Sequence, residues 1–284
     1  MTTPSTPHPP AQLLDDTQLA RSDVAANCVM NRERGLVGVN SYARDLGFDP
    51  LRWLLAAATG GTGDPPPRGS PAGGDIRTSR AGPGHAEPGA PRDDRQLWVD
   101  LCCGSGRALI EAGTQVDRSP WAGRLTIIGV DLVDAFVTEP RPTGLQLHVA
   151  SVSTWAPPRA VNLVTCVHGL HYVGDKLGLL LRAASWLTDG GRLVAHLDPA
   201  TLRHPDGRSA ARRAVAALRR SGFDYDSRRH LVSRGGTTGV RLPATPATPD
   251  WAYLGADDQG GPSYRPGRRS LLLPVRLTPT ARQT

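Results

Sequence analysis

Leu97-Trp98-Val99-Asp100-Leu101-Cys102-Cys103-Gly104-Ser105-Gly106-Arg107 is an apolar run, a tight turn of small residues, and the opening of a helix near Ser105. A second apolar run, Leu125-Thr126-Ile127-Ile128-Gly129-Val130, follows and ends in an acid, Asp131. Strand, glycine turn, helix, strand, acid is the order in which an α/β sheet holds a nucleoside. The backbone passes close at the turn, and the carboxylate takes two ribose hydroxyls.

The turn discriminates between nucleosides. A dinucleotide site wants G-x-G-x-x-G, yet Leu109 stands where the third glycine belongs. Asp100, at the end of the first strand, would repel a pyrophosphate held at the helix N-terminus. S-adenosylmethionine has no phosphate and carries an ammonium and a sulfonium, so an acid there favours it. Val99-Asp100-Leu101-Cys102-Cys103-Gly104-Ser105-Gly106 resembles the first motif of class I S-adenosylmethionine-dependent methyltransferases, and Gly129-Val130-Asp131 resembles their second. The resemblance covers residues 96–200. Cys102 replaces the first glycine of that motif; because a Cβ disfavours positive φ, either the turn holds Cys102 at negative φ or the site is distorted.

The chain has 284 residues and no run of 18 apolar ones, so no membrane span is expected. Met1 to Pro10 is Thr/Pro-rich without the basic flank and apolar core of a secretory signal. Cys28, Cys102, Cys103 and Cys166 lack C-x-x-C spacing, which fits reduced thiols in a cytoplasm rather than a disulfide framework or a zinc site. Net charge is +7, and Lys176 is the only lysine. The arginines are spread over the chain, densest at Arg212, Arg213, Arg219 and Arg220, which reads first as a solvated helix face and second as a surface for a polyanion.

Residues 1–10 are expected to be a disordered tail and 11–58 a helical segment. In the latter, Asn40-Ser41 caps a helix Tyr42 to Leu46, and Asp49-Pro50 starts another, Leu51 to Ala58. Residues 59–95 are Gly, Pro, Ala and charge without an apolar face, a flexible insertion. Residues 96–284 carry the expected sheet: strands Gln96–Leu101, Arg124–Val130, Leu145–Ala150, Val161–Val167 and Arg192–Leu197. Helices are expected over Gly106–Val116, Asp175–Leu187 and Arg208–Arg220. The link from Asp131 to Thr143 barely fits a crossover helix. Strands at Arg228–Ser233 and Leu271–Leu277 complete, by the resemblance, an antiparallel edge hairpin, with a long loop (235–269) between them. The fold class is α/β: a doubly wound, mostly parallel, seven-stranded Rossmann-like methyltransferase sheet with an N-terminal helical segment.

Sites in such sheets lie outside the carboxyl ends of the strands. Asp131 is assigned to the ribose hydroxyls with Leu132 beside it. Gly104, Ser105, Gly106 and Cys102 form the backbone cradle, and Asp100 lies near the methionine amino group through the turn amides or water. The resemblance implies that the residues after strand three, Ser151 and Val152, adjoin the adenine; Ser151 offers only a hydroxyl where an acid or amide is usual. His168 and His171 follow strand four, where the family places groups beside the reactive methyl. Either serves as a general base, or both shape the pocket; His168, nearer the strand, is favoured and is also expected to border the cofactor. Asn40, Ser41 and Tyr42 form either a lid over the cofactor or simple helix capping. No metal site is expected.

The leading reading is therefore an S-adenosylmethionine-dependent methyltransferase with a small-molecule acceptor. Its rivals are a non-catalytic S-adenosylmethionine-binding homologue and an NAD(P)-dependent oxidoreductase. A nucleic-acid acceptor ranks lower, because no Asn/Asp-Pro-Pro-aromatic tetrad follows strand four.

Overall fold

The computed structural model describes residues 34–59, 95–138, 140–203, 209–237 and 252–253. The tail 1–10, the N-terminal helical pattern before residue 34, nearly all of the 59–95 insertion and the strand expected at 271–277 lie outside the described residues.

Short caps build the N-terminal segment. Ser41 accepts from the amide of Arg44 (3.3 Å) to open α1 (Tyr42–Leu46), and Gly47, at φ 77°, closes it. Asp49 accepts from the amides of Leu51 (2.9 Å) and Arg52 (3.2 Å), and Pro50 occupies the first turn of α2 (Pro50–Ala58).

The sheet alternates with helices: β1 (Gln96–Leu101), α3 (Arg107–Asp117), β2 (Leu125–Asp131), β3 (Leu145–Val149), β4 (Val161–Cys166), α4 (Lys176–Ser185) and β5 (Leu187–His196). Then come β6 (Leu202–Arg203), α5 (Ala211–Arg220), β7 (Asp224–Asp226), β8 (Leu231–Gly235) and β9 (Ala252–Tyr253). The seven-stranded order is β3-β2-β1-β4-β5-β8-β7, with β1 to β5 parallel and β8 antiparallel to both of its neighbours, β5 and β7. β6 and β9 pair separately.

Side-chain alternation along the strands divides the core into two layers. Trp98, Ile127, Leu163 and Val194 pack against Leu36, Leu46 and Leu54 of the N-terminal segment and Leu109 of α3. Val99, Ile128, Val164 and Ala195 face the other way, against Leu180 and Ala184 of α4 and Ala214 and Leu218 of α5. The central strands are buried on both faces, as parallel strands are. Leu109 can stand where a dinucleotide fold needs glycine because the close approach is made on β2: a Cβ at Gly129 would lie 2.7 Å from Leu109 and 2.8 Å from Cys103. The Arg192 guanidinium, 4.1 Å above the Phe48 ring, ties the N-terminal segment to β5.

Three expectations need correction. β5 begins at Leu187 rather than Arg192 and pairs there with Val161; the register slips between Val161 and Leu163, so Asp189 to Gly191, expected to close the preceding helix, run within the strand. α4 accordingly stops at Ser185. The edge strand is Asp224–Asp226, pairing with β8 across a four-residue turn. As expected, no helix joins β2 to β3 among the described residues of that link; Phe136 and Val137 pack against the core there instead.

Candidate cofactor and acceptor site

The site forms where β1 and β2 end and β4 leaves the sheet. Gly104 (φ 58°) and Gly106 (φ 74°) take left-handed conformations in the turn. Cys102 does so too, at φ 57°, so the expected negative φ is wrong. For a residue with a Cβ this is strained, and the surroundings hold it there. The Cys102 and Cys166 thiols are hydrogen-bonded, which together with burial pushes the Cys102 thiol well up. Gly169, beneath them, provides the room: a Cβ there would lie 2.3 Å from the Cys102 Cβ and 3.0 Å from each of the two sulfurs.

Asp131 ends β2 and reaches across to the turn. Its Oδ2 accepts from the Gly104 amide at 2.7 Å and its Oδ1 from the Val133 amide at 3.1 Å. Burial raises its carboxyl, against the lowering effect of the amides of Gly104, Val133 and Leu132. Ser105 is buried, and its carbonyl accepts from Val137 at 3.0 Å. Asp100 lies fully buried below the turn. One oxygen accepts from the Tyr42 hydroxyl at 2.6 Å and the other from the Thr165 hydroxyl, which itself accepts from Trp98 Nε1 at 2.8 Å. Burial pushes the Asp100 carboxyl up to about 7 despite these donors, and the charge of Asp131 adds to the rise. Tyr42 is thus more than the neighbour of a helix cap: it anchors the N-terminal segment to the floor of the site.

Ala150 donates to the Asp131 carbonyl at 2.8 Å, which brings the end of β3 alongside. There Ser151 Oγ accepts from the Ser153 amide (3.2 Å), and Val152 is buried with its carbonyl bound by Arg182.

His168 leaves β4 at φ 57° and caps the 3-10 turn Gly169–Tyr172, which carries His171. The two rings are parallel with centroids 6.4 Å apart. A third imidazole, His196 at the end of β5, stacks on His168 at 3.9 Å and 11°. Burial, reinforced by the nearby His168 and Arg34, pushes His196 down to about 3, so it is neutral. His168 Nε2 lies 3.5 Å from Oδ2 of Asp45 on α1, which is 3.0 Å from Nε of the buried Arg34. Burial would raise the Asp45 carboxyl, but His168 and Arg34 together hold it below the usual range. Among the described residues no cluster of three His, Cys, Asp or Glu is arranged to hold a metal ion, in keeping with rings that stack rather than converge.

Sequence reasoning named Asp131, Gly104, Gly106, Asp100, His168 and His171, and all border this one region. It missed Thr165, Asp45 and His196. Thr165 and His196 carried a signal, each a polar residue near the carboxyl end of an apolar strand. Asp45 carried none, because its place depends on how α1 docks.

A family model described as a methyltransferase domain matches residues 77–241, more than half of the chain. No curated protein matches. Solved structures that resemble the chain include the DhpI–SAH complex, at 18% identity over 50% of this chain and 78% of that one (TM-score 0.35). Another is SAM-bound CalS10, an amino pentose methyltransferase from Micromonospora echinaspora, at 23% identity over 41% and 47% (TM-score 0.30). A third is coclaurine N-methyltransferase bound to N-methylheliamine and SAH, at 14% identity over 39% and 31% (TM-score 0.31). The chain spans less than half the length of the first two structures matched, 49% and 31%.

Proposed function

This chain belongs to the class I S-adenosylmethionine-dependent methyltransferases, and from that premise we propose that Asp131 and the Cys102–Gly106 turn hold the cofactor while His168 and His171 border a small-molecule methyl acceptor. The arrangement fits this cofactor. Two carboxylates, Asp100 and Asp131, stand close enough at the turn for the charge of one to raise the other, which suits a cation and opposes a pyrophosphate. The amides of Gly104, Val133 and Leu132 engage the Asp131 carboxylate, and a carboxylate can accept about four hydrogen bonds, so capacity remains for a ribose hydroxyl. An NAD(P) oxidoreductase is disfavoured on the same ground.

When bound, the cofactor supplies a methyl carbon already activated by its sulfonium. The chain's own task is to position and desolvate. The left-handed turn lets the backbone approach the ligand, Asp131 orients the ribose, and Leu132, Ser151 and Val152 border the adenine. Asp100 and Tyr42 keep the N-terminal segment closed over the turn. His171 shapes the acceptor side. Among the described residues no helix is long and apolar enough to cross a membrane, and the cysteine pattern supports a reducing compartment such as the cytoplasm.

The observation that carries the reading is the Asp131 carboxylate bridging the end of β2 and the turn after β1. Titration calorimetry tests it: S-adenosylmethionine binds the wild type, and Asp131→Ala loses binding at least tenfold. Undiminished affinity in that variant refutes the assignment.

A further inference from the structure

The acceptor side holds more acid–base machinery than positioning a cofactor requires. His168 is fixed on two sides: its Nε2 edge lies 3.5 Å from Asp45, and its face is covered by His196 at 3.9 Å. Asp45 is itself held by Arg34 at 3.0 Å. His168 also keeps a left-handed backbone that a non-glycine residue adopts only when its surroundings impose it. Nδ1 of His196 is buried and has no hydrogen-bond partner among the described residues. A buried orphan nitrogen next to a held imidazole calls for an explanation, and a ligand's hydroxyl supplies one.

We infer that His168 is the base that takes a proton from the methyl acceptor through Nδ1, with Asp45 and His196 as its positioning residues, and that the acceptor is therefore a protic oxygen, a phenol or alcohol. The inference rests on the methyltransferase reading above and deepens it. The Asp45 carboxylate faces Nε2 at 3.5 Å, an ion-pair contact rather than a formed hydrogen bond, and it favours the tautomer in which Nε2 keeps its proton and Nδ1 is left with the lone pair. A neutral amine attacks with its own lone pair and needs no such group, whereas a hydroxyl is a poor nucleophile until its proton leaves. In the balanced step the O–H proton moves to Nδ1 and the oxygen pair forms the new C–O bond. The methyl–sulfur bond breaks with its pair left on sulfur, which becomes a neutral thioether. The resulting imidazolium faces Asp45, and its proton then leaves to solvent, to which the His168 side chain is 36% exposed. The charged and titratable groups around His168 are Asp45 on α1, Arg34 before it, His196 on β5 and His171 on the 3-10 turn. Of these only Asp45 is negative, and a neutral His196 covers the ring without adding a second positive charge.

Long-range proton–nitrogen correlation spectra of the full-length 15N-labelled protein, without substrate, across pH 5–9 test this. Neutral His168 is expected to carry its proton on Nε2. Asp45→Asn should move His168 toward the Nδ1–H tautomer, as loss of the carboxylate facing Nε2 does, and His196 should stay unprotonated throughout. An Nδ1–H tautomer in the wild type, or a tautomer unmoved in Asp45→Asn, overturns the inference. His168→Gln, which leaves the Asp45–Arg34 pair intact, gives a second reading through S-adenosylhomocysteine release on a panel of phenols, alcohols and amines. Turnover of hydroxyl acceptors that falls at least a hundredfold in the variant, with S-adenosylmethionine affinity retained by calorimetry, supports it. Turnover confined to amines overturns it. Failure of the wild type to bind S-adenosylmethionine would instead sink the methyltransferase reading, leaving the tautomer result to stand by itself.

Discussion

Gly169→Ala asks whether the glycine beneath the cofactor turn is there to make room for Cys102. The added methyl would lie 2.3 Å from the Cys102 Cβ and 3.0 Å from the Cys102 and Cys166 sulfurs. Contacting carbons prefer about 3.5–4.0 Å, so the turn or the exit of β4 must shift. Overpacking of this kind costs about 1–3 kcal/mol. Cys102→Gly alone should be close to neutral. It relieves about 1–2 kcal/mol of left-handed strain, and it gives up roughly 1 kcal/mol of side-chain burial and a similar amount in chain entropy. In the double variant the methyl enters the space left by the cysteine, so the effects are strongly non-additive, with a coupling of about 1–3 kcal/mol. Urea denaturation of the four proteins, followed by far-UV circular dichroism, measures each value. Wild-type stability in Gly169→Ala, or a double variant no more stable than Gly169→Ala, refutes the reasoning.

Two further variants probe buried ionisable groups. Lys176 is 1% exposed, its Nζ donates to the Val173 carbonyl at 2.8 Å, and burial pushes its amine down to about 7. The folded state binds fewer protons than the unfolded between about pH 7 and 10.5, so Lys176 lets stability rise with pH and costs it as pH falls toward 7. Lys176→Met should remove a dependence on the order of 4 kcal/mol over that interval, and parallel urea–pH profiles for wild type and variant would contradict this. Tyr42→Phe removes a donor from Asp100 and should cost about 1–3 kcal/mol. Because the folded Asp100 carboxyl is already raised to about 7, it detracts from stability as pH rises from about 4 toward 7. Losing the Tyr42 hydroxyl raises it further, so the deficit of the variant should be larger at pH 8 than at pH 5; a deficit independent of pH would show that the hydroxyl does not support the ionised form.

The centre of the sheet was legible in the sequence because its strands are buried on both faces and read as mostly apolar runs, each with a single polar residue, as in Leu97–Leu101 and Leu125–Val130. The edge was not. Asp224-Tyr225-Asp226 has too few apolar residues to announce a strand, and it forms one because β8 offers it a partner. Asp189 to Gly191 read as the end of a helix because glycine usually breaks regular structure, yet they lie within β5, in the bulge between its two pairings with β4. The sign of φ at Cys102 was misread for a related reason. The Cβ penalty is local, whereas the thiol contact with Cys166 and the gap at Gly169 that outweigh it come from a segment some 65 residues away. Most of the residues proposed to hold the cofactor lie within or beside the two motifs and could be found there. The acceptor side draws Asp45, His168 and His196 from three distant segments, and no spacing along the chain records their meeting.

The hydroxyl of Tyr42 and the carboxylate of Asp100, 58 positions apart, also set an order of events during biosynthesis. When α1 and α2 leave the ribosome, the surface that buries Leu46, Leu51 and Leu54 has not been made, and Thr165, which completes the Asp100 network, is over a hundred residues from synthesis. At translation rates of roughly 5–20 residues per second, these apolar side chains wait about ten seconds. The amino-terminal piece is therefore the last part of the first half to settle, and a nascent chain stalled before β4 would present it bare to chaperones and proteases.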